Sequence, residues 1–138
     1  MDIDQEVLED FLTESEEVIR NLKLFISSYK EPTDNYLFEK YGQQIDRIMG
    51  AAFTIGLSDI GELAKMGKEL GYKGSQVTEP EKLFVIQSLL AQVLKKVEYG
   101  FKLLKLKENL EKEEVKDLLR KLKSASEQLG DLRTSVRD

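Results

Sequence analysis

The sequence predicts an all-α fold: an antiparallel up-and-down four-helix bundle with one additional helix. Three observations carry this. Apolar residues recur at three- and four-residue steps through five segments, the period of an amphipathic helix and not of a strand. The only two prolines, Pro32 and Pro80, fall between segments or at a segment start, so long helices run uninterrupted. The connections are short, which sets successive helices antiparallel. A chain of 138 residues, 41% apolar and 34% charged, fits one domain over 1–138 and is long enough for a real hydrophobic core.

Each element has its own justification. The first helix is expected over residues 4–28, with Val7, Leu8, Phe11, Leu12, Val18, Ile19, Leu22, Phe25 and Ile26 forming one stripe. Asp2 with Gln5, or Asp4 alone, can cap it. The turn-forming residues 30–34 end it, and Thr33 or Asp34 can cap the second helix, residues 35–55. Gly56 stands where a helix C-terminus needs positive φ. Ser58 is the expected cap of a third helix over 59–70, with Ile60, Leu63, Ala64 and Met66 inward, and Gly71-Tyr72-Lys73-Gly74-Ser75 reads as a loop. Thr78-Glu79-Pro80-Glu81 has the form of a capping box with proline in the first turn. The fourth helix, to about residue 107, spans ~45 Å and carries a stripe from Leu83 to Leu104. After a break at 109–112, the fifth helix turns Val115, Leu118, Leu119, Leu122, Ala125 and Leu129 inward. Residues 133–138 lack a pattern and are expected to fray.

Composition narrows the function. The net charge of -5, from 26 acidic and 21 basic side chains, argues against nucleic acid as a partner. With neither cysteine nor histidine, the usual ligands of zinc, copper and haem are missing, and no cofactor or metal is expected. The acidic start MDIDQEVLED lacks the basic and apolar regions of a signal peptide. No apolar run approaches the ~20 residues of a membrane span, so no membrane partner and a cytoplasmic location are expected.

The second helix carries the segment IDRIMGAAFTIGL, residues 45–57. It resembles the phosphoacceptor helix of histidine phosphotransfer (Hpt) domains, which follows the pattern H-x-x-K-G with a second glycine further on. Gly50 and Gly56 match the two glycines, whereas Asp46 occupies the histidine position and Met49 the lysine position. The resemblance extends to both sides. The first helix, D-Q-E-V-L-E-D-F-L-T-E-S-E-E, is similar to that of chemotaxis-kinase Hpt domains, and LSDIGELAKMGKEL resembles the helix after the acceptor helix. The likeness thus covers residues 4–71 in order and spacing. It implies the Hpt bundle and a role in two-component signalling, with the acceptor group lost.

The residues state the consequence. Glu39, Gln43, Asp46, Gly50 and Phe53 share one helical face. Imidazole is a good nucleophile near neutral pH because much of it is neutral there; a carboxylate at Asp46 is already ionised and repels a phosphoryl group. Asp46 is either a partial mimic of phosphohistidine's charge, one unit against ~1.5–2, or an ordinary solvated residue. Gly50 serves either close approach of a partner or tight packing between the second and third helices, since glycine inside a helix costs about 1 kcal/mol relative to alanine.

The leading expectation is a non-phosphorylatable adaptor or competitor. It binds a receiver domain or a histidine-kinase module through Glu39, Gln43, Asp46, Arg47, Met49, Gly50 and Phe53, and it is not an enzyme. Two alternatives remain open. Glu39 and Gln43, one turn apart, have the spacing with which some helical response-regulator phosphatases orient water. The chain can also be a structural oligomerisation module, including a homodimer, because fold alone does not fix function. The series Lys95, Lys96, Lys102, Lys105 and Lys107 reads as a solvated face, and Leu103 and Leu106 as packing on the fifth helix or as a dimer contact.

Overall fold

The computed structural model describes residues 3–26 and 35–129 in full, with the backbone of Ser27 and of residues 130–137 as helix. Five helices make up the described chain: α1 Gln5–Ser27, α2 Asn35–Thr54, α3 Ser58–Gln76, α4 Pro80–Lys105 and α5 Lys112–Arg137. No strand occurs among the described residues. The architecture is a helical bundle. α1 packs on α2 and α4, α2 on α3, α3 on α4, and α5 rests against α3 and α4.

Side-chain pairs fix the directions. Glu16 meets Lys105 and Lys23 meets Glu98, so α1 and α4 run oppositely. Phe38 lies over Gly74, Ile45 over Gly67 and Phe53 over Gly61, so α2 and α3 do too. One core joins the helices, with Leu22, Ile45, Leu63, Leu70, Ile86 and Val93 fully excluded from water. The expected α4 stripe is buried throughout, as are Ile60, Leu63, Ala64 and Met66 on α3. Val7 departs from the expected α1 stripe and is exposed. In α5, Leu118, Leu119 and Ala125 are only partly buried because that helix has neighbours on one side alone.

The helix ends show where local chemistry acted as expected. Asp4 accepts hydrogen bonds from the amides of Glu6 and Val7 at 2.9 and 3.3 Å, which makes it the cap of α1. Gly56 has φ +87°, and the Leu57 amide donates to the Ala52 carbonyl at 2.8 Å, closing α2 as a Schellman motif. That motif carries the chain one residue further before α3 starts. Leu57 therefore takes the cap position without a side-chain bond, and Ser58 is the first helical residue instead of the cap. The capping box expected at 78–81 does not form: Pro80 opens α4, but Glu79 makes no side-chain cap bond. The expected caps Thr33 and Asp34, the turn at 30–34 and Asp2 lie outside the described residues.

Two spans are corrected. The stretch 71–75, expected as a loop, is helix, and α3 continues to Gln76. The reason is packing. A Cβ at Gly71 would sit 2.9 Å from the Gly42 nitrogen and the Phe38 carbonyl, and one at Gly74 would lie 2.5 Å from the Phe38 ring. Gly71 lets two backbones touch and Gly74 seats the Phe38 side chain, and the buried contact outweighs their weak helix propensity. At the other end of the chain, helix extends to Arg137 where fraying was expected.

Candidate functional site

The candidate site begins with the outer face of α2. Glu39, Gln43, Arg47, Gly50 and Phe53 are exposed along it, and Asp46 and Met49 are half-buried at its edge toward α3. The face exists because the opposite side of α2, with Phe38, Tyr41, Ile45, Ile48 and Ala52, is bound into the core. Asp46 lies at the surface. Its carboxylate is bridged at 2.9 Å by the ammonium of Lys68 from α3, with both side chains close to half exposed. An ion pair that open contributes at most about 1 kcal/mol.

Gly50 separates the two explanations open for it. A Cβ there would meet nothing within 4 Å, so the glycine does not serve packing between α2 and α3. That role belongs to the α3 glycines Gly61, Gly67, Gly71 and Gly74. The Gly50 carbonyl accepts a bond from the Thr54 hydroxyl at 2.7 Å, which holds the last turn of α2 without covering the surface. Phe53 is different. Although 41% exposed, its ring lies so close to Gly61 that a Cβ there would come within 2.6 Å of it.

Because glycines draw the two helices together, α3 adds to the same surface. Met49 walls a groove of about 430 Å³ whose other lining includes Lys65, Lys68, Glu69 and Tyr72. Tyr72 is largely exposed, and Lys73 at the rim donates to the Ser126 carbonyl of α5. The result is a mixed surface in which Met49, Phe53 and Tyr72 provide apolar area and Asp46, Arg47, Lys65 and Lys68 provide charge.

The α3 contribution was not anticipated from sequence. Lys65, Lys68, Tyr72 and Gln76 follow helical spacing, but reading residues 71–75 as a loop cut that row in half. The pairing of Lys68 with Asp46 depends on the register of α3 against α2, which no local pattern specifies. In chemistry the arrangement offers ionic and apolar contact. Among the described residues no group of three carboxylates could hold a metal ion, and no helix is long and apolar enough to cross a membrane. No protein-family model, curated protein or solved structure matches the chain.

Proposed function

We propose that this chain is an Hpt-like bundle without a phosphoacceptor, which binds a receiver domain or a histidine-kinase module of a two-component pathway as an adaptor or competitor. In this reading α1 to α4 form the antiparallel Hpt four-helix arrangement and α5 packs outside it. The neighbour pattern of the helices supports that arrangement. The observation that carries the functional reading is Gly50: a mid-helix glycine with no internal contact to explain it, one turn from a surface carboxylate at the acceptor position. Removing a side chain there leaves a shallow bare patch on α2 where another molecule's backbone can approach.

Met49, Gly50 and Phe53 supply the centre of the docking surface, and Gln43, Asp46, Arg47 and Lys68 its rim. Apolar centres with polar surrounds are how transient interfaces gain affinity. The Lys68 ammonium offsets the Asp46 charge, so the pair presents a dipole more than a phosphate-like dianion. This favours constitutive docking over imitation of a phosphorylated state.

Calorimetric titration of receiver domains and kinase modules from the same cell tests the reading. Wild type binds at least one of them, and Gly50→Arg, which fills the bare patch, binds it at least about tenfold more weakly. Equal binding by the two proteins removes α2 as the docking face. The same receivers, phosphorylated, lose phosphate at an unchanged rate when the protein is added. Acceleration abolished by Gln43→Ala would instead establish the phosphatase alternative.

A further inference from the structure

We propose that the groove beside Met49 is the anion-recognising end of the docking surface: Lys65 and Lys68 of α3 take up a carboxylate of the partner, and Asp46 is an internal placeholder that this carboxylate displaces from Lys68. The inference rests on the docking reading above and adds the chemistry of the occupant, an acidic segment of the receiver domain or kinase module.

Charge is unevenly placed on this molecule. The chain carries a net charge of -5, yet Lys65, Lys68 and Lys73 line the groove of about 430 Å³ against one acid, Glu69. The three lysines differ in what they already hold. Lys73 is engaged with the Ser126 carbonyl of α5. Lys68 bridges Asp46 at 2.9 Å. Lys65 is exposed and makes no ion pair among the described residues, although Glu69 follows it by one turn. Lys65 and Lys68 are three residues apart on a continuous helix, so their side chains leave neighbouring points of one face. Met49 and Tyr72, the latter 63% exposed, add apolar surface beside them. An acidic segment is attracted there, and a basic one meets like charge.

The Asp46–Lys68 pair is weak enough to give way. With side chains 44% and 47% exposed, it contributes at most about 1 kcal/mol. A partner carboxylate placed between Lys65 and Lys68 meets two ammonium groups, where Asp46 meets one. The exchange keeps Lys68 paired, gives Lys65 a counter-charge and returns Asp46 to water. This fixes a sign opposite to phosphohistidine mimicry. Were Asp46 itself the recognised group, removing its charge would weaken docking. As a competitor for Lys68, its removal strengthens docking.

Calorimetric titration at low and high salt tests the proposal, with the receiver domain or kinase module that wild type binds as the probe. Wild-type binding weakens as salt screens the contact. Lys65→Gln/Lys68→Gln binds about tenfold more weakly. Asp46→Asn, close in shape to wild type, binds up to about fivefold more tightly. Lys95→Gln/Lys102→Gln removes the same charge from exposed positions of α4 outside the groove and binds like wild type, which separates a local contact from net charge. Circular dichroism checks the folding of each variant. Asp46→Asn binding no more tightly than wild type, a salt-indifferent wild type, or Lys65→Gln/Lys68→Gln binding as well as the α4 control overturns the inference. If Gly50→Arg still weakens binding in that case, the docking reading stands without it. Binding to none of these domains, or equal binding by Gly50→Arg, overturns both.

Discussion

Gly50 and Gly71 both sit inside helices, in opposite surroundings. At Gly50 a methyl group meets open solvent; at Gly71 it meets the backbone of α2 at 2.9 Å. Gly50→Ala is expected to raise stability by up to about 1 kcal/mol, the propensity difference alone. Gly71→Ala is expected to lower it by about 1–3 kcal/mol, because α2 and α3 must separate. Urea midpoints of the two variants check the opposite signs. Tyr41 gives a third residue-scale expectation. Burial pushes its phenol above the ordinary tyrosine range, and its hydroxyl donates to the Leu90 carbonyl at 3.3 Å. An acid whose folded pKa is raised stabilises fully below its unfolded value, and that stability is lost as pH rises beyond it. The fold should therefore weaken above about pH 10, and Tyr41→Phe should flatten that decline in denaturant titrations across alkaline pH.

At the scale of elements, the α4 terminus holds a backbone conformation that favours glycine. Lys107 takes φ +59°, the one non-glycine residue at positive φ among those described. The amides of Lys107 and Glu108 close the helix on the carbonyls of Leu104 and Leu103 at 3.0 and 2.8 Å, the same Schellman geometry that Gly56 provides for α2. Lys107→Gly is expected to stabilise by about 1 kcal/mol, read from the thermal midpoint. Legibility differed by element for physical reasons. The stripes of α3 and α4 and the Gly56 turn were readable because period and φ preference are local. The C-terminal half of α3 was not, because glycine reads as a helix breaker unless its packing partner is known. The available signal was the row Gly61, Ala64, Gly67, Gly71 and Gly74, small residues on one helical face, which marks a close helix pair.

The whole molecule joins these scales. Small residues on α3 admit α2, their contact sets the register, and the register places Lys68 beside Asp46 and Tyr72 near Met49. The α2 half of the candidate site could be named from sequence because it lies on one helix; the α3 half arises only on folding. If α2 and α3 form the proposed docking surface, loss of their contact, as in Gly71→Ala, should weaken partner binding as well as stability, even though residue 71 is itself buried. The most direct measurement is a backbone amide shift map of the protein on adding a receiver domain or kinase module from the same cell. Shifts should concentrate on residues 43–53 and on α3 from Lys65 to Tyr72, and Gly50→Arg should abolish them. Shifts confined to other helices, or unchanged by that substitution, would contradict the assignment of α2 and α3 as the docking platform.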